Sequence, residues 1–260
     1  MTFDDLINLV RAHDFARIEQ IIAEGTDLSL LISGSEPTSG WTLLKEAVGQ
    51  DDAQIVQLLI DTGADVNRED ADGWTPVFNA ALDANIPIIR LLLLNGADIN
   101  HRDNTGDSPL RCVMVSCDFR KTPEEAPLYT ETIKFLCEQG ANANSLSIDG
   151  SSVLMMAVTQ QCLEAVQYLI SKKADVNVSD EDGWTALMWA ARKGSRDIAT
   201  LLVDNGAVLD AQNVIGNTAL IIASMHGHDE VMHYLIAAGA DENVANSDSE
   251  TYKDWIHYED

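Results

Sequence analysis

Two series of small residues recur along the chain at one spacing, and that spacing leaves few folds open. The pairs Gly63-Ala64, Gly96-Ala97, Gly140-Ala141, Lys173-Ala174, Gly206-Ala207 and Gly239-Ala240 set their alanines 33, 44, 33, 33 and 33 residues apart. A second series, Gly40, Gly73, Gly106, Gly150, Gly183 and Gly216, has gaps of 33, 33, 44, 33 and 33. Both share one gap of 44, so a single insertion of 11 residues sits inside one unit. A fixed period of this length marks supersecondary units stacked in a row, none of which can bury its apolar face alone.

Each unit repeats one order of events. A glycine of the second series is followed, after one residue, by Thr or Ser, as in Trp74-Thr75-Pro76 and Trp184-Thr185-Ala186. Such a hydroxyl caps a helix, and proline is tolerated at the first helical position. A short helix with small residues follows (Asn79-Ala80-Ala81, Trp189-Ala190-Ala191), then a second, apolar helix such as Ile88 to Leu94, which stops at Asn95-Gly96. Glycine there is a C-terminal helix signal.

These residues resemble the ankyrin repeat over about residues 36–245, six units in all. The resemblance implies an all-α solenoid of stacked helix pairs with short β-hairpin fingers, the first helices lining a concave face and the second forming a convex back. The family histidine after T-P-L is absent. Lys45, Phe78, Arg111, Met155, Met188 and Ile221 stand there, which removes the usual side-chain hydrogen bond between turn and helix without removing the fold. Lys173 replaces a helix-ending glycine and predicts one strained turn; Val208-Leu209-Asp210 replaces the usual Asp-Val-Asn.

The whole chain, residues 1–260, reads as a single domain of such repeats. Residues 1–35 hold a degenerate capping repeat and its connection, with Leu6, Ile7, Val10, Phe15, Ile18, Ile21 and Ile22 at helical spacing. Tyr252-Lys253-Asp254-Trp255 reads as the start of a further helix, and residues 246–260 as an acidic C-terminal cap. The insertion falls around residues 116–130, where Pro123 and Pro127 forbid a simple continuation of either helix.

Charge narrows the partners. Sixteen Lys and Arg against 42 Asp and Glu give a net charge of −26. Such a chain repels phosphate backbones, so nucleic acid and anionic membranes are excluded as partners, and a protein recognised by charge should be basic. The longest aliphatic run, Leu91 to Leu94, is far too short to span a bilayer. The first residues lack a secretion signal, and four cysteines without a CxxC pair read as buried small hydrophobes in a reducing compartment. The alternative for them is a Cys112–Cys117 disulfide. The expectation is a cytoplasmic protein, monomeric on its own.

No nucleophile elbow, phosphate loop or dinucleotide fingerprint is present. The one dense histidine group, His226, His228 and His233, would have to serve a metal-dependent hydrolase. However, a spacing of five turns His233 off the face of His228. The sequence therefore predicts no catalytic residue, metal or cofactor, and points to a protein-binding module that inhibits or adapts a basic protein, such as a neutralising partner of a toxin. A scaffold with several weak partners is the alternative.

As the resemblance implies, recognition should use the finger tips and the exposed side of the first helices. Trp41, Trp74 and Trp184 follow their glycines directly, where other units place Asp107, Ser151 and Asn217. Asp72, Asp149, Glu181 and Asp182 stand beside them. An indole next to carboxylates suits Lys and Arg through ion pairing and cation–π contact. Packing of each indole on its neighbouring hairpin is the competing reading. Trp189 reads as core. Gln50, Leu82, Asp83, Arg192, Lys193, Met225 and His226 should be exposed along the first helices, and Arg192-Lys193 could meet an acidic spot on a partner or pair with Glu181 and Asp182. Phe119 and Arg120 are the candidate contacts of the insertion.

Overall fold

The computed structural model describes residues 2–24, 42–116 and 126–256. Among them lie fourteen α-helices. They are α1 (Phe3–Arg11), α2 (Phe15–Ala23), α3 (Leu43–Gly49), α4 (Ala53–Asp61), α5 (Pro76–Leu82), α6 (Ile86–Leu94) and α7 (Pro109–Ser116), then α8 (Ala126–Glu138), α9 (Val153–Thr159), α10 (Leu163–Ser171), α11 (Ala186–Lys193), α12 (Arg196–Asp204), α13 (Ala219–Met225) and α14 (Asp229–Ala237). A single 3-10 turn, Tyr252–Trp255, follows. None of these helices is long and apolar enough to cross a membrane.

Helices of seven to nine residues are marginal by themselves, so stacking has to hold them. Contacts resolve two compact units, Met1–Ser116 with Glu131–Ala141 and Cys117–Thr130 with Asn142–Asp260. In the first unit α1, α3, α5 and α7 pack in succession, while α2, α4 and α6 pack in a second layer. In the second, α9, α11 and α13 form one layer and α10, α12 and α14 the other, with the 3-10 turn against α13. Buried alanines such as Ala80, Ala81, Ala190 and Ala191 let neighbouring first helices approach closely. The second helices supply the bulk: Ile88, Ile89 and Leu92 are completely buried, each worth about 1.5–3 kcal/mol in removed apolar surface. Cys112 and Cys162 are buried and Cys137 is half-buried. The alternative pairing with Cys117 lies outside the described residues.

The caps predicted from sequence form in most repeats. The hydroxyls of Thr42, Ser152, Thr185 and Thr218 accept from the backbone N–H three residues on, at 3.1, 3.1, 3.3 and 3.3 Å. Thr75 departs from the expectation: its hydroxyl makes no cap bond and is buried without a partner. The Phe78 N–H bonds the Thr75 carbonyl instead, at 2.9 Å.

The fingers are turns rather than strands. Among the described residues the only strand-like pairings are the isolated bridges Leu146–Ser152 and Ser179–Thr185. What shapes each finger is a polar side chain at its first position. Asp70 Oδ1 accepts the N–H groups of Asp72 and Trp74, and Asp180 Oδ1 accepts those of Asp182 and Trp184, all at 2.8–3.1 Å. Asp103, Asn213 and Asn246 do the same in their turns. Neighbouring tips are then tied by one backbone bond: Asn104 N–H to Asp72 O, Glu181 N–H to Asp149 O, Val214 N–H to Asp182 O and Ser247 N–H to Ile215 O.

That close approach explains the second glycine series. A Cβ on Gly183 would lie 2.9 Å from Asn213 Cα, and one on Gly216 would lie 2.8 Å from Ser247 N. The last finger, Asn246 to Glu250, has no further finger against it among the described residues, and there Ser249 occupies the glycine position at φ +65°.

The first series ends the second helices. Gly63, Gly96, Gly140, Gly206 and Gly239 take φ of +86° to +99°, and Lys173 is forced to +66°, the strain expected of a side chain in the left-handed region. After each such turn an asparagine bridges two repeats. Asn67 donates to Gly96 O at 2.9 Å and accepts from Asp98 N–H at 2.8 Å. Asn144 bridges in the same way to Lys173 O and Asp175 N–H, and Asn177 to Gly206 O and Val208 N–H. Asp210, at the end of the irregular Val208-Leu209-Asp210 stretch, accepts from Asp241 N–H at 2.9 Å, but a carboxylate has no N–H for the carbonyl of residue 239.

Asp210→Asn should therefore raise stability by about 0.5 kcal/mol, the low end for one hydrogen bond because the site is exposed. Urea unfolding of the two proteins measures it, and an unchanged or lower midpoint would count against the bridge. Thr75→Val should be neutral or stabilising by up to about 1 kcal/mol, since the lost hydroxyl has no partner, while Thr42→Val should cost about 1 kcal/mol. Equal losses at the two sites would show that Thr75 caps after all.

Candidate functional site

The position after T-P-L decides how each finger is held to its first helix. All six side chains there are buried, Lys45 completely so. In the first unit two are cations. The Lys45 ammonium reaches across to the next finger, pairing with Asp70 Oδ2 at 2.7 Å and donating to the Trp74 carbonyl. Burial pulls the Lys45 pKa down, and the hydrogen bond and charge of Asp70, with Asp72 and Glu69 nearby, pull it back. The Arg111 guanidinium pairs with Asp107 one turn back. The hydrogen bond that the missing histidine seemed to remove is thus replaced by charged bonds. In the second unit Met155, Met188 and Ile221 fill the position with apolar volume.

Around this support the first unit forms a pocket of about 250 Å³ between two fingers, lined by Asp72, Trp74, Asp103, Asn104, Thr105, Asp107, Cys112 and Val115. Trp74 is half-buried. Its indole N–H donates to Asp103 Oδ2 at 2.9 Å, and its ring stacks on Phe78 at 5.8 Å between centroids. Phe78 in turn meets His101 edge-on, and the His101 ring bonds Gly73 O at 2.9 Å. Asp72 is exposed, and Val115 is 58% exposed at the rim. Burial, with Asp107, Asp103 and Asp83 nearby, pushes the Cys112 thiol up to about 12, so it stays protonated and unreactive at neutral pH. The pocket lies below the roughly 300–1,000 Å³ of small-molecule sites. It has the size of one side chain and the charge to want a cation.

The second unit uses its tryptophans differently. Trp184 and Trp189 lie 4.6 Å apart between centroids, inclined at 33°. Trp189 is half-buried rather than core, as are Asn79 and Met156 at the same place in their repeats, and its ring lies against Trp184. The Arg192 guanidinium sits over both rings, 5.4 Å from Trp184 and 5.2 Å from Trp189. Glu181 and Asp182, on the same finger as Trp184, are exposed, and neither pairs with Arg192 or Lys193. Burial raises the Asp180 pKa, helped by Asp182 and Asp149, while the N–H groups of Trp184 and Asp182 oppose the rise.

Asp149 is exposed, its carboxylate accepting from Ser151 N–H at 3.0 Å and from the Ser147 hydroxyl. The structure thus brings Asp72, Trp74 and Asp107 into one pocket, and sets Asp149, Glu181, Asp182 and Trp184 on adjoining fingers of the second unit. Trp41, Phe119 and Arg120 lie outside the described residues. The first-helix residues expected on the surface, from Gln50 to His226, are all exposed or half-exposed.

Sequence reasoning missed Asp103, which both shapes a finger and holds the Trp74 indole. It also missed Ile148, Val214 and Ile215, which are 67, 65 and 55% exposed at the tips of the second unit. Their signal was an apolar residue one or two places before the glycine, where the sister repeats carry Ala71-Asp72, Asn104-Thr105 and Glu181-Asp182. The rings of His226 and His228 stand 6.2 Å apart, and no group of three potential metal ligands occurs among the described residues.

Short helix pairs stacked through hydrogen-bonded fingers define an all-α repeat protein. A family model described as ankyrin repeats (3 copies) matches residues 9–103, 126–213 and 172–246, and the chain belongs to the ankyrin-repeat family. Ankyrin repeats are generally protein–protein interaction modules. A search of curated proteins returns no match.

Lys45 is the support on which the pocket rests. Lys45→Met, which copies the second unit, should cost about 3 kcal/mol because Asp70 is left without its cation. Adding Asp70→Asn should recover part of that loss in a denaturant-unfolding double-mutant cycle. Strictly additive losses would mean that the pair is not coupled.

Proposed function

We propose that this chain is a non-catalytic, intracellular interaction protein that binds a basic protein and acts by covering its surface, as an inhibitor or adaptor. A neutralising partner of a basic toxin is the concrete form of this reading. The observation that carries it is the pocket at Trp74. Trp74, Asp72, Asp103 and Asp107 line a space the size of a Lys or Arg side chain, and the Asp72 carboxylate there is exposed and bonded to no other part of the finger. A cation there gains ion pairing and a ring face together, in a site already partly desolvated. The net charge of −26 adds long-range attraction for a basic partner and speeds encounter. The exposed Ile148, Val214 and Ile215 add apolar contact on the second unit.

Affinity capture from the native host at low salt, using wild type and Asp72→Asn, tests this. Asp72 is the clean position, since its exposed carboxylate holds no other part of the finger. The expected result is a basic protein bound by wild type, weakened about tenfold by Asp72→Asn, and released as salt rises. Capture of neutral or acidic proteins alone, at unchanged strength by the variant, would refute the reading.

A further inference from the structure

Acids outnumber bases 42 to 16 in this chain, yet the described basic residues of the second unit mostly lack a carboxylate. Lys253 approaches Glu242 at 3.6 Å. Lys172, Lys173, Arg192, Lys193 and Arg196 form no ion pair among the described residues. Lys172 lies over one ring, that of Tyr168, at 5.2 Å, whereas Arg192 is held at both its side chain and its backbone. Two indoles lie beneath its guanidinium, and its own backbone carbonyl accepts from the His228 ring at 3.1 Å, fixing the end of α11. Contact with a ring face satisfies the cation's charge without supplying an acceptor, and its N–H groups make no hydrogen bond among the described residues. An exposed, pre-positioned guanidinium with unused donors is a fork waiting for a planar anion.

We propose that Arg192, stacked on Trp184 and Trp189, is a docking point for an Asp or Glu side chain on a protein partner, with Lys193 beside it. This rests on the reading of the chain as a protein-interaction module. A carboxylate fits better than a phosphate group, because a doubly charged group would be repelled more strongly by the net charge of −26. A partner that is basic overall and carries one acidic residue at this place would then be oriented as well as attracted, since a misplaced carboxylate would face the acids of the fingers.

Two short peptides of near-zero net charge, identical except for a central Glu or Gln beside a Tyr, test the proposal. Each is titrated into the full-length protein while the indole N–H resonances of Trp184 and Trp189 and the Arg192 Nε–H are followed by NMR. The Glu peptide should shift all three saturably and bind about tenfold more tightly than the Gln peptide. Arg192→Gln should erase that difference, and Arg192→Lys should keep only part of it, with the helical circular dichroism of both variants unchanged. Equal effects of the two peptides, or no saturable shift by about 10 mM, would overturn the proposal. Shifts confined to Trp74 would overturn it too, while leaving the interaction reading intact.

Discussion

One backbone hydrogen bond, from the second residue of a finger to the third residue of the finger before it, sets the terms for the rest of the structure. The bond from Asn104 N–H to Asp72 O, and its counterparts at Glu181, Val214 and Ser247, require neighbouring tips to come within hydrogen-bond distance. At that approach no Cβ fits on Gly183 or Gly216. The turn must also hold its shape before the neighbour arrives, which is the work of the side-chain oxygens of Asp70, Asp103, Asp180, Asn213 and Asn246. A repeat one residue longer or shorter would break this register, so the insertion falls away from the fingers, between helices α7 and α8.

The same constraint lets equivalent positions diverge wherever the fingers do not touch. Trp74 and Trp184 occupy the same place in their repeats, yet one is bonded to Asp103 among acids and the other is covered by Arg192. The preceding repeat reaches the Trp74 carbonyl through the Lys45 ammonium, whereas the counterpart of Lys45 before Trp184 is the apolar Met155. Two faces of opposite character therefore arise from one repeated unit, the first unit offering carboxylates around an indole and the second a cation over two. On the proposed reading such a contrast would add specificity, because net charge attracts any basic surface whereas a placed cation rejects most of them.

Much of this was legible because it follows from local rules. The period, the helix pairs, the hydroxyl caps and the strained turn at Lys173 are all consequences of a few residues acting on their own backbone. The reading failed where residue type alone could not fix the contact. Thr75 has a capping residue's identity, yet its hydroxyl stays unbonded, while Ser108, also followed by proline, does cap. Trp189 was expected in the core and is half-buried, its ring against Trp184. The fingers were expected as β-hairpins, but side-chain-capped turns already satisfy their backbone and leave little for a ladder to add.

The sequence by itself determined the family, the helix pairs, the places where the chain turns and the residues that stand on the fingers, because a 33-residue period with glycine at fixed points admits one solution for stacking. Only the tertiary structure decided which carboxylates gather around which indole, that Lys45 and Arg111 take over the missing histidine's bond, and that Arg192 is left with two rings beneath it and no carboxylate paired to it among the described residues. The physical reason is that those pairings are set by distance and angle, whether across 29 residues as from Trp74 to Asp103 or across three as from Trp189 to Arg192, and no pattern of residue types along a chain encodes an angle.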